Sequence, residues 1–158
     1  MSYSSFSSLI WRDLLTGENG GANDGGQADI GFPPKTADEF FQRGLKNARL
    51  GFPDKAAEDF EEAAWLDPDN PEIQFNLGTA YLSIGDFEQA IVNFTRSIDL
   101  KPGNPDYFGN RAVAHAAIGE DEKSESDVAE AVKHGAPPDG LATVIDYVKN
   151  KRSAEGGF

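Results

Sequence analysis

Apolar residues recur along this chain at helical spacing in short blocks, and the blocks themselves recur every 34 residues. Phe40, Gln74 and Phe108 share one register position; Gly44, Gly78 and Ala112 share another. So do Phe60, Phe94 and Val128, and Ala63, Ser97 and Ala131. The pairs Leu50–Gly51, Ile84–Gly85 and Ile118–Gly119 fall in step as well. A period of this length, with small residues at constant places, predicts stacked helical hairpins. The units run over 37–70, 71–104 and 105–138. In each, one helix runs to the Leu/Ile–Gly turn and a second follows it. Thr36 or Asp38 caps the first helix, and Pro71 and Pro105, after Asn70 and Asn104, open later ones where a missing N–H costs nothing. Residues 139–150 predict one more helix, capped by Asp139, with Leu141, Val144, Ile145 and Val148 on one stripe. Lys149, Lys151 and Arg152 suit its C-terminal end. Its expected task is to cover the open face of the last hairpin. The expected fold class is therefore all-α over 36–150, and 151–158 reads as a disordered tail.

The pattern changes before residue 36. Residues 1–16 predict a short amphipathic helix, with Phe6, Leu9, Ile10 and Leu14 on one stripe and Trp11 beside it. So short a helix is marginal in water, and its stripe needs something to cover it. Residues 17–35 read as a flexible linker, with Gly17, Gly20, Gly21, Gly25, Gly26 and Gly31 among polar residues and Phe32–Pro33–Pro34 stiffening its end.

Charge narrows the partners. The chain of 158 residues carries 27 Asp and Glu against 14 Lys and Arg, a net charge of −13. That field disfavours nucleic acid and anionic membrane and steers in neutral or basic partners. There is no cysteine, hence no disulfide and no thiolate metal site. No run is long and apolar enough to span a bilayer, and Trp11–Arg12–Asp13 interrupts what would be the apolar core of a secretion signal. A cytoplasmic protein is the expectation. His115 and His134 are the only histidines; the first falls inside a helix pair and the second at a helix C-terminus. No phosphate loop, zinc signature or nucleophile elbow is present, so no catalytic residue, metal or cofactor is expected.

The second unit, with Leu77, Gly78, Tyr81, Gly85, Ala90, Phe94 and Pro102, resembles the tetratricopeptide repeat family, and 37–138 resembles three such repeats. The resemblance implies a right-handed superhelix of three helix-turn-helix hairpins, with 139–150 as the capping helix. It implies protein binding as the activity, in a concave groove lined by the first helix of each hairpin. Two departures stand out: Arg43 and Asn47 replace Leu77 and Tyr81 in the first unit, and Ser124 replaces Ala90 in the third.

Register then places Phe41, Gln42, Leu45, Phe75, Asn76, Thr79, Leu82, Asn110, Val113 and Ala116 on the groove, with Asp38, Glu72 and Asp106 at its rim. Gln42, Asn76 and Asn110 would form a ladder of amides for a peptide backbone, or else tie helix to helix. The aromatic residues would meet a ligand, or else pack on neighbouring helices. One subclass of the family grips the carboxylate of chaperone tails with three cations and two asparagines. Those places here hold Phe41, Leu45, Asn76, Asp106 and Asn110, of which only Asn76 matches, so no chaperone-tail binding is expected. Trp65, opposite polar Asp99 and Lys133 in register, is either an exposed anchor or folded into the space above Ala64; the second is expected.

The function expected is a scaffold or assembly module whose groove takes an apolar, neutral-to-basic helix or peptide. Residues 1–16 could be that ligand, since a Gly-rich linker of this length spans roughly 24 Å, or else a motif for another protein or a segment folded onto the convex side. Docking in cis would self-occupy the groove, and docking in trans would build a homodimer by exchange of N-terminal segments. The alternative is a small-ligand-binding or accessory enzymatic domain with an unrecognised site.

Overall fold

The computed structural model describes residues 33–156, in which the elements are seven helices. They are α1 (Ala37–Arg49), α2 (Pro53–Leu66), α3 (Pro71–Ile84), α4 (Phe87–Leu100), α5 (Pro105–Ala117), α6 (Asp121–Lys133) and α7 (Pro138–Ala154). The expected N-terminal helix and the linker as far as residue 32 lie outside the described residues.

Local chemistry starts each helix. Thr36, not Asp38, caps α1: its hydroxyl accepts from the Glu39 N–H at 3.2 Å, and Glu39 Oε2 accepts from the Thr36 N–H at 3.0 Å. This reciprocal box satisfies two otherwise orphaned donors. Asn70 and Asn104 cap α3 and α5 through their side-chain oxygens, ahead of Pro71 and Pro105. The three A-to-B turns close alike. The N–H groups of Phe52, Asp86 and Glu120 donate to the carbonyls of Asn47, Tyr81 and His115, five residues back, at 3.0, 3.0 and 2.9 Å. That closure needs a left-handed residue just before its donor, and Gly51, Gly85 and Gly119 supply it with φ of 79°, 85° and 86°.

Packing repeats with the sequence. Helices α1 and α2, α3 and α4, and α5 and α6 pair as hairpins, while α2 packs on α3 and α4 on α5. Glycine brings the paired helices together: a Cβ on Gly44 would lie 2.5 Å from the Phe60 ring, and one on Gly78 would lie 2.8 Å from the Phe94 ring. Both rings are fully buried. Beyond α1 the apolar interior stops. Ile73, Leu77 and Ala80 of α3 are buried, whereas their register equivalents on α1 are the exposed Glu39, Arg43 and Lys46. At the other end α7 lies chiefly on α5 and buries Leu141, Ile145 and Val148.

Two expectations about α7 are corrected. Pro137 occupies its N-cap and makes no side-chain cap; Asp139 falls inside the first turn. The helix also runs to Ala154, so 151–154 are helical rather than tail. Its last turn is anchored: Arg152 donates to both Asp121 carboxylate oxygens at 3.0 Å and to the Ala116 carbonyl. Charge-assisted bonds of this kind offset the fraying expected of a helix end. Among the described residues no helix is long and apolar enough to cross a membrane.

Candidate functional site

The groove residues predicted by register come from α1, α3 and α5, and the structure divides them. Phe41 and Leu45 are half-buried, with the Phe41 ring 5.7 Å from that of Phe60. Phe75 is half-buried between Phe94, at 5.8 Å, and Tyr107, at 5.0 Å. Each ring thus packs on a neighbouring helix and leaves part of its surface open. Thr79 is half-buried as a residue, but its hydroxyl oxygen is buried with no hydrogen-bond partner. Leu82, Val113 and Ala116 are corrections. They are closed to solvent, at 2, 1 and 0% exposure, within the same apolar cluster as Leu141, Ile145 and Val148 of α7. Register told which way they point; the approach of the next helices decided that they are core.

The amide ladder is interrupted at Asn110, which is buried. Asn76 Nδ2 donates to the Glu72 carbonyl and Asn110 Nδ2 to the Asp106 carbonyl, each at 2.8 Å and each four residues back in its own helix. Gln42 Nε2 reaches Asp38 Oδ1 at 3.4 Å. None of these bonds crosses between helices. A short polar side chain inside a helix has its own i−4 carbonyl as the nearest acceptor. Asn76 stays half-exposed, while Asn110 is buried.

The open strip is therefore Phe41, Leu45, Phe75, Asn76 and Thr79, on α1 and α3, bounded by the exposed Asp38 and Glu72 and the half-buried Asp106. Burial pushes the Asp106 carboxyl above its ordinary range. A desolvated carboxyl gains a neighbouring cation readily and resists a neighbouring anion.

Sequence reasoning missed a polar pair repeated inside the hairpins. Arg43 Nε donates to Asp59 Oδ1 at 2.9 Å, and Asn47 Nδ2 donates to Asp59 Oδ2 at 2.8 Å. Arg111 grips Asp127 in the third hairpin, with His115 Nε2 3.8 Å from the same carboxylate. The signal was present: Arg43 and Arg111 share a register position, and so do Asp59 and Asp127, with Leu77 and Asn93 in the unit between them. His115 is buried, its Nδ1 2.6 Å from Glu120 Oε2, and His134 stacks on Phe108 at 5.5 Å. Tyr81, at the His115 place in the second hairpin, donates its hydroxyl to Glu61; burial first, then that carboxylate, pushes its pKa up to about 12.

Trp65 overturns the expectation that it folds over Ala64. It is 79% exposed on the outer side of α2, while Ala64 beneath it packs with the Phe60 cluster. A small residue facing the core left no gap to fill. Among the described residues no group of His, Asp and Glu could hold a metal ion. The predicted docking residues Phe6, Leu9, Ile10, Trp11 and Leu14 lie outside the described residues.

A family model described as Tetratricopeptide repeat matches residues 41–105 and 77–140. No curated protein matches the chain. Among solved structures, the first TPR domain of Spaghetti (RPAP3) bound to the HSP90 peptide SRMEEVD is similar at 18% identity and a TM-score of 0.67, covering 78% of this chain and 98% of that one. The second TPR domain of human RPAP3, in complex with the HSP70 peptide SGPTIEEVD, is similar at 22% identity and a TM-score of 0.66, with 72% and 94% covered. The TPR2B domain of yeast Sti1 in its pHsp70 complex is similar at 20% identity and a TM-score of 0.62, with 75% and 97% covered. At these identities the likeness shows the fold.

Proposed function

Because the chain belongs to the tetratricopeptide repeat family, we propose that it is a non-catalytic interaction module of the cytoplasm, holding an apolar, neutral-to-basic segment of a protein. The observation that carries this reading is the open strip of Phe41, Leu45 and Phe75 beside a rim of Asp38, Glu72 and Asp106. Half-covered aromatic and aliphatic surface gains free energy when a ligand completes its burial. The acidic rim favours cations on that ligand and disfavours anions. Similar structures include domains bound to chaperone peptides, which supports the peptide-binding reading. The side chains here favour a different ligand. Phe41, Asp106 and Asn110 stand where that mode needs cations, and a terminal carboxylate would meet Asp106 rather than a cation. His115 is tied to Glu120 and His134 is stacked on Phe108, which supports structural roles for both.

The ligand we favour is the chain's own segment 1–16, whose apolar stripe of Phe6, Leu9, Ile10 and Leu14, with Trp11, fits such a strip. The chain has no cysteine, so a Ser8→Cys variant takes one nitroxide label. Docking predicts broadening of the amide resonances of Leu45, Phe75 and Asn76 in the full chain. Mixing labelled and isotope-enriched chains separates cis from trans. Broadening confined to the outer faces of α2 and α4, or none, sinks self-docking. Paramagnetic broadening does not address an outside ligand; that arm is a titration of the same resonances with a candidate partner.

A further inference from the structure

The exposed face of α2 is chemically unlike the groove. Glu58, Glu62 and Trp65 follow at spacings of four and three residues, so they form one stripe along the outside of the helix. All are exposed, Trp65 at 79%. The only basic residue of α2, Lys55, is turned onto the Phe52 ring at 4.9 Å and does not neutralise the stripe. Of the neighbouring acids, Asp59 is held inside by Arg43 and Glu61 by the Tyr81 hydroxyl. Glu58 and Glu62 form no salt bridge among the described residues, apart from a longer-range attraction between Glu58 and Arg43. The register equivalents of Trp65 on α4 and α6 are Asp99 and Lys133. The indole is thus not required by the repeat, and it buries little of itself in the fold.

We propose that this stripe is a second interaction surface, separate from the groove, which docks an arginine-bearing basic segment of another protein. A guanidinium laid over the Trp65 face gains the attraction of a cation for an aromatic ring, and the carboxylates of Glu62 and Glu58 lie one and two turns back along the helix to receive its N–H groups. Each contribution is small in open water, and together they favour a planar cation over a compact one. The chain's charge of −13 adds steering from a distance. An anionic segment would meet like charge along the stripe and be repelled.

The probe is an N-acetylated, C-amidated hexa-arginine peptide, titrated calorimetrically into the full chain at physiological salt. Trp11→Phe leaves Trp65 as the single tryptophan, and saturable quenching of its emission by the same peptide, excited selectively over tyrosine, locates the contact. The expected result is a fall in affinity of tenfold or more with Trp65→Ala, a weaker fall with Glu62→Gln, and no change with Asn76→Ala in the groove. Circular dichroism of the Trp65→Ala chain should be unaltered, since the side chain is on the outside. If Trp65→Ala binds hexa-arginine as the parent does, the attraction is diffuse charge and the proposal is wrong. Absence of saturable quenching overturns it equally. Neither result bears on the groove, whose occupancy is read from Leu45, Phe75 and Asn76.

Discussion

Arg111 of α5 grips Asp127 of α6 side-on, Nε to Oδ2 at 2.8 Å and Nη2 to Oδ1 at 2.7 Å, within the interior of the third hairpin. The Arg43–Asp59 pair does the same work in the first hairpin, with Nε and Nη2 sharing one carboxylate oxygen and Asn47 taking the other. In the second hairpin the two places hold Leu77 and Asn93, and no ion pair is needed. One backbone thus carries two interior solutions, one ionic and one largely apolar. Removing one partner of a buried pair strands the other, whereas replacing both removes the desolvation cost as well. Asp127→Ala is expected to destabilise by about 3 kcal/mol. The double change Arg111→Leu with Asp127→Asn, which copies the second hairpin, should be more stable than either single variant. Urea unfolding midpoints decide this; a double variant no better than the worse single one would refute the equivalence of the two interiors.

Ser124 is wholly buried with an unpartnered hydroxyl, at the register place of Ala56 and Ala90. An orphan hydroxyl keeps its desolvation cost without return. Ser124→Ala should raise stability by about 1 kcal/mol, seen as a higher thermal midpoint.

Gly78 and Gly140 are both helical, and alanine is the better helix former at either. At Gly78 the new methyl would press 2.8 Å from the Phe94 ring and 3.2 Å from the Ala90 carbonyl; at Gly140 it meets open space. Gly78→Ala should cost about 2 kcal/mol through overpacking. Gly140→Ala should add roughly 0.5–1 kcal/mol. Opposite signs in paired denaturation curves are the expected outcome, and equal signs would refute the close approach.

Asp121 links α6 to the end of α7. Its hydrogen bonds from Arg152 hold its carboxyl below the usual carboxylate range. A depressed acid contributes stability that is present above its unfolded value and lost as pH falls through the folded one. The hold on α7 should therefore be constant near neutrality and weaken in acid below the ordinary aspartate range. Amide exchange in α7 should quicken there, and Asp121→Asn should remove that dependence. An unchanged acid profile in the variant would mean that other carboxylates govern it.

Much of this was legible in the residues alone. The three hairpins, their turns and the caps at Thr36, Asn70 and Asn104 follow from local signals, each confined to a few neighbouring residues. Asp139 has the chemistry of a cap but not the place, because Pro137 and Pro138 set the entry into α7. The paired arginines and aspartates were visible in register and overlooked, because each is unremarkable until its partner is seen across the hairpin.

What the sequence by itself determined is the order and pairing of the helices from residue 37 onward. A 34-residue period and its glycine punctuation act through backbone geometry, which is local. What only the tertiary structure decided is which outward positions remain open. Leu82, Val113 and Ala116 closed into the core while Phe41, Leu45 and Phe75 stayed half-exposed, and Trp65 stood free where it was expected to fold inward. Exposure depends on how near the next helices come, and that distance is set by side chains tens of residues away.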